Sequence, residues 1–121
     1  MATPNLINVD TITPSVAVGA VTTSRASIVD VTAEHCAKIN SLIIANVDGT
    51  NAAAVTVEVS TDNGSNYTAI ANTISVPADA SLIVIGKDNG FYLDETDILA
   101  VTASANSDLT YLVSYELMKD A

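Results

Sequence analysis

The chain has 121 residues, with fourteen acids against four bases, a net charge of −10 and one cysteine. That potential repels phosphate backbones and anionic lipid, which excludes nucleic acid and membrane surfaces as partners. A lone Cys36 excludes an internal disulfide, and the opening MATPNLINVD lacks the basic and apolar regions of a signal peptide, so the expected place of synthesis is a reducing cytoplasm.

Val, Ile and Thr number 14, 11 and 14, a bias towards side chains stiff at χ1 that suit a pleated sheet. Leu6 to Asp10 reads as a short first strand or as part of an extended arm over residues 1–14, and Thr13-Pro14 punctuates the chain. Ser15 to Thr22 and Ala26 to Thr32 read as a hairpin around Thr23-Ser24-Arg25. TAEHCAK (32–38) is the one stretch with helical character, too short to stand alone. Strands follow at Lys38 to Val47, Ala53 to Ser60 and Asn66 to Ala71. In the second of these Ala53, Val55, Val57 and Val59 face one way, and Thr56, Glu58 and Ser60 the other. The joining turns, Asp48-Gly49 and Asp62-Asn63-Gly64, use residues that tolerate positive φ.

Pro77-Ala78-Asp79 then turns into Ser81 to Lys87, and Asn89-Gly90 leads to Phe91-Tyr92-Leu93. After the acidic bend Asp94-Glu95-Thr96-Asp97 come Ile98 to Ser104 and, past Asn106-Ser107-Asp108, Leu109 to Met118. About eight to ten short strands with regular turn signals predict one all-β domain over residues 1–121. The fold expected is an antiparallel β-sandwich, jelly-roll or Ig-like.

Strands of an isolated sandwich are polar on the outer face. Leu42-Ile43-Ile44 and Leu82-Ile83-Val84-Ile85 break that pattern, so either a loop or another subunit covers them. Leu42, Ile44, Ile83 and Ile85 are therefore candidate interface residues. Leu6, Ile7, Val9 and Ile12 join them as an arm reaching to a neighbour, or else form an ordinary first strand.

The sequence offers little chemistry. His35 stands next to Cys36, and sequence neighbours rarely make a nucleophile–base pair; two such residues cannot supply the four ligands of structural zinc. Asp62-Asn63-Gly64-Ser65-Asn66 begins like a calcium loop, but its twelfth position is Thr73 where a bidentate Glu is needed. Asp94, Glu95 and Asp97 share a bend without the aromatic platforms of a glycosidase. The five glycines form no phosphate-binding pattern. The expectation is a protein that is not an enzyme and takes no cofactor, metal or small-molecule substrate.

The runs NSLIIANVDGTNAAAVTVEVS (40–60), IANTISVPADASLIVIGKDNGFYLDETDIL (70–99) and SANSDLTYLVSYELM (104–118) resemble small virion structural proteins of tailed bacteriophages, especially marine and cyanobacterial ones. The matching segments are Ile44 to Thr50, Val55 to Val59, Val76 to Asp88, Asp94 to Asp97 and Val113 to Glu116. These are turns and strand cores, so they bear on fold and setting rather than on a reaction. The resemblance implies a capsid decoration, or cement, protein on the outer surface of the virion. Its partners would be the major capsid protein and copies of itself as a homotrimer. The alternatives are a neck, tail or fibre β module, and a carbohydrate-binding jelly roll using Tyr67, Phe91 and Tyr92.

Overall fold

A computed structural model describes residues 7–120. Among these residues nine strands divide between two sheets: β1 (Val9–Val21), β2 (Ala26–Asp30), β3 (His35–Asn46), β4 (Ala53–Ser60), β5 (Thr68–Val76), β6 (Ser81–Ile85), β7 (Phe91–Leu93), β8 (Ile98–Ala103) and β9 (Leu109–Asp120). The first sheet runs β1-β9-β3-β6, with β7 also paired to β3, and the second runs β2-β8-β4-β5. All pairings are antiparallel. This is the antiparallel β-sandwich that the turn spacing predicts.

The core lies between the sheets. From the first come Val21, Ile39, Leu42, Ile44, Ile85, Leu93, Leu109 and Val113; from the second come Val29, Val55, Val57, Leu99 and Val101. Alternation along β4 holds from Ala53 to Glu58, with Val55 and Val57 fully buried and Thr56 and Glu58 on the opposite face, but fails at the strand's end, where Ser60, read as outward, is buried and Val59 is only half-buried. Three of the apolar residues expected at an interface, Leu42, Ile44 and Ile85, belong to this core and are 0–2% exposed. That corrects their assignment, and alternation is the reason: in Leu42-Ile43-Ile44 only the middle residue can face outward.

Four local readings also change. Ser15 to Thr22 and Ala26 to Thr32 are not a hairpin, because β1 pairs with β9 and β2 with β8, in different sheets. Thr13-Pro14 does not interrupt β1, since Pro14 pairs with Glu116 in unbroken register; an edge strand can accept a residue without an N–H. The supposed helical turn is a bend at Thr32–Glu34, with Glu34 at φ 65°, after which β3 has begun by His35. The strand expected to end at Ala71 continues to Val76, passing an irregularity at Thr73, φ 52°.

Candidate interaction surfaces

Both sheets have an outward face, and the two differ. Across the first sheet, register places Val18 beside Leu112, Leu112 beside Ile43, and Ile43 beside Ile83. These four form one apolar row perpendicular to the strands. Val18 is 68% exposed, Ile83 66% and Leu112 37%. The next row on one side is Ala20, Thr110, Ala45 and Ser81; on the other it is Val16, Ser114 and Ser41. None of these eleven residues is charged. Between β1, β9 and β3 the surface dips into an apolar depression of about 470 Å³ lined by Val18, Gly19, Ile43, Ala45, Tyr111 and Leu112. Gly19 itself faces inward with Tyr111, and a Cβ there would stand 3.0 Å from the Tyr111 ring, so glycine leaves room for that ring beneath the strand.

Farther along the same sheet, Lys38, Asn40, Ser41, Lys87, Asp88 and Gly90 line an open groove of about 550 Å³. It follows the irregularity between Ile39 and Ser41 in β3, where Asn40 Nδ2 donates to Glu116 Oε1 at 3.3 Å. A Cβ on Gly90 would meet the Ile39 carbonyl oxygen at 2.6 Å. So Asn89-Gly90 is required by the close approach of two backbones, and Gly90 itself has the ordinary φ of −66°.

The outward face of the second sheet is small and polar. Thr56 pairs with Thr102, Glu58 with Ala100, and Ala54 with Ser75. Arg25 lies across it: Nε donates to Glu58 Oε1 at 3.0 Å and an NH₂ group donates to Oε2 at 3.2 Å. The same guanidinium sits 4.0 Å from the Tyr67 ring centroid. Tyr67 is thereby engaged within the chain, which leaves Tyr92 as the exposed aromatic near Phe91. Phe91, Tyr92, Ile70 and Val59 line a cleft of about 350 Å³ between β5 and β7.

The polar loops satisfy themselves. Asp48 Oδ1 accepts the amides of Thr50 at 2.8 Å and Asn51 at 3.2 Å, which hold its carboxyl below the ordinary range. Nearby Asp108 is pushed up, first by desolvation and then by Asp48. Asp62 accepts the Asn66 amide at 2.8 Å, the Asn66 side chain at 2.9 Å and the Ser60 hydroxyl at 2.8 Å, and its pKa is lowered. Both of its oxygens are spent inside the loop, where Asn63 and Gly64 take positive φ as the sequence suggested. Asp97 accepts the Asp94 amide at 2.9 Å, and its pKa rises because burial outweighs that bond. Among the described residues no group of three or more His, Cys, Asp or Glu is arranged to hold a metal ion.

Adjacent positions on β3 point His35 and Cys36 to opposite faces. His35 Nδ1 lies 2.8 Å from the Ala33 carbonyl, to which it donates. Cys36 is buried, and desolvation, then Asp94, pushes its thiol up. Of the other interface candidates, Ile12 and Ile83 are exposed, Val9 is half-buried, Ile7 is exposed, and Leu6 lies outside the described residues.

One residue that sequence reading missed organises the crossing between the sheets. Asn46 ends β3, is 3% exposed, and donates from Nδ2 to the carbonyls of Asn51 and Val76, both at 2.9 Å. Its Oδ1 accepts the Asp48 amide at 2.8 Å. The available signal was an amide side chain inside the apolar run Ile-Ala-Asn-Val, two residues before an Asp.

The geometry defines a class: an antiparallel β-sandwich with an acidic, self-satisfied rim and one uncharged apolar patch on an outward face. No protein-family model and no curated protein matches the chain. Among solved structures it is similar to a chain of Bacillus endospore appendages, described as a novel family of disulfide-linked pili. That likeness has a TM-score of 0.55 and 16% identity over 92% of this chain and 88% of the other. Two structures of pentameric capsid proteins from metagenomic phage sequences match at TM-scores of 0.41 and 0.40. Each is 17% identical over 95% of this chain, covering 62% and 67% of theirs. At those scores the capsid chains carry no argument about function, and the appendage chain shares the fold alone.

Proposed function

We propose that this chain is a non-catalytic structural subunit that acts by being bound into an assembly, and that the assembly is a phage head on whose outer surface it serves as a cement protein. The observation that carries the reading is the uncharged apolar row Val18–Leu112–Ile43–Ile83 on the outside of an otherwise acidic sandwich. Exposed patches of this kind mark contact surfaces with other macromolecules. The strand order supports a jelly roll over an Ig-like sandwich: with the short β7 set aside, eight strands divide as β1-β9-β3-β6 and β2-β8-β4-β5. The sequence resemblance to small virion structural proteins of tailed phages supports this setting and, as partners, the major capsid protein and further copies of this chain.

A bound subunit stabilises a shell by mass action, on the order of 3 kcal/mol per site at a hundredfold excess over Kd. Repeated over many sites, modest contacts resist internal pressure. The test is to titrate the purified chain onto heads assembled from the cognate major capsid protein without it. Saturable binding in high copy and a raised disruption temperature are expected; heads equally robust with and without the chain would overturn the cement role.

A second reading, a filament or appendage subunit, is favoured by the endospore chain's fold. The covalent linkage named for those pili has no counterpart proposed here, because this sequence has one cysteine and it is buried. The solution mass separates a closed homotrimer from a two-fold pairing or an open filament.

A further inference from the structure

We propose that two copies of this chain join edge to edge along Val16–Ala20 of β1, antiparallel about a two-fold axis, so that their first sheets run on into one. The inference rests on the structural-subunit reading and deepens it by naming the partner, a second copy, and the surface.

An exposed strand edge recruits other strands unless shortness, irregularity or charge prevents it. The other edges of this sandwich carry such protection. β2 has five residues and a register shift between Ser27 and Val29. β6 has five residues and a shift opposite Leu42/Ile43, and β7 has only three residues. β5 has two register shifts and holds Thr73 in the left-handed region. β1 differs: after one shift between Val9 and Thr11, its pairing with β9 runs unbroken from Thr11 to Val21. No residue from Thr11 to Ser24 is charged.

Pro14 sets which backbone groups face the open side. It has no N–H, yet register passes through it without a shift, so its nitrogen points away from β9. Backbone groups alternate sides along a strand, so the amides of Val16, Val18 and Ala20 point the same way as the Pro14 nitrogen. Centring the contact on Val18 sets it opposite Val18 of the partner subunit, with Val16 opposite Ala20 of the partner subunit and the reverse. These three opposed pairs provide about six N–H···O bonds, all clear of Pro14.

A second copy fits this edge better than another partner for two reasons. An isologous contact must be self-complementary, and the uncharged segment Val16–Ala20 meeting itself antiparallel is so by construction. Two chains that each carry −10 also meet here without like charges opposed. The pairing extends the outward apolar row across the joint and doubles its length.

The test uses the full chain in sedimentation velocity over a concentration series, with amide hydrogen exchange resolved by residue. A monomer–dimer equilibrium is expected, with the Val16, Val18 and Ala20 amides slowing as the dimer fraction grows. Val18→Lys, which sets two ammonium groups opposite one another, should weaken the dimer about tenfold or more. Val18→Pro, which deletes an outward N–H, should abolish it. Thermal melts report whether each variant folds, and Val18→Lys decides the matter should Val18→Pro not fold. A chain that stays monomeric throughout overturns the proposal, as does a dimer whose three amides exchange freely or one indifferent to Val18→Lys. Monomers that still saturate heads would sink the edge contact and leave the cement reading standing; dimers that never bind heads would do the opposite.

Discussion

The two outward faces of the sandwich cover one core but are built to different ends. On the second sheet, Arg25 lies across Glu58 and Tyr67 over a surface of Thr56, Thr102 and Ala100, so the chain closes that face with its own side chains. On the first sheet, Val18, Leu112, Ile43 and Ile83 line up with no charged neighbour in the flanking rows. One face is closed by the chain's own side chains; the other leaves its apolar row exposed. Most of the acids lie in loops, where amide donors lower the pKa of Asp48 and Asp62, and none stands in the apolar row or in the rows beside it.

Both faces depend on the shared core, so the largest effect comes from hollowing it. Leu42→Ala should lower the unfolding free energy by about 2–5 kcal/mol in urea denaturation, because Leu42 is fully buried between the sheets. A loss under about 1 kcal/mol would return Leu42 to the surface and undo its transfer from interface to core. Next in size is the crossing that fixes one sheet against the other. Asn46→Ala strands the Val76 and Asn51 carbonyls and the Asp48 amide, at about 1–3 kcal/mol. Its measurement is the denaturation midpoint, together with faster exchange of the Asp48 amide.

Acid acts on the loops in opposite senses. The folded pKa of Asp62 is depressed, so its contribution is present above the unfolded value of about 3.9 and is lost as pH falls through the folded pKa. The melting-temperature gap between the parent and Asp62→Ala should therefore be constant near neutrality and close below about pH 4. Asp97 is raised, chiefly by burial, so its ionised form opposes folding. Asp97→Asn should be the more stable chain at neutral pH, with the advantage shrinking as pH falls through the raised pKa. A gap that widens in acid for either variant reverses the assignment.

Much of this architecture is legible in the residues, and what is not has a physical cause. β4 shows its inner and outer faces in its alternation, and Asp62-Asn63-Gly64 shows its turn, because both are local. The hairpin at Thr23-Ser24-Arg25 was misread because a short loop that crosses between sheets has the same chemistry as one within a sheet. Pro14 looked like a break because its tolerance depends on β1 being an edge, which strand order decides and composition does not. Alternation alone puts Leu42 and Ile44 on one face and Ile83 and Ile85 on one face, but does not say which face is outward; the irregularities at Asn40 and Val84 turn Leu42, Ile44 and Ile85 inward and leave Ile43 and Ile83 outside. The uncharged row itself brings together β1, β9, β3 and β6, spread from Val18 to Leu112 in sequence, and only the folded register assembles it.

The smallest stability effects distinguish the faces most sharply. Arg25→Ala removes an exposed pair and a ring contact from the second sheet; the pair is about half exposed on the Arg side, so the loss should be small beside that of Asn46→Ala. Ile83→Ser on the first sheet should change monomer stability by about 0.5 kcal/mol or less, since a side chain 66% exposed gives up little burial when shortened. Association should rank the two in the reverse order. Arg25→Ala opens a face that has no partner and should leave binding to heads unchanged, whereas Ile83→Ser cuts into the row that a partner would cover and should weaken it. The experiment is a paired titration of both variants onto heads beside their urea midpoints. If Arg25→Ala weakens binding and Ile83→Ser does not, the second sheet is the docking face, and the apolar row is ordinary exposed surface.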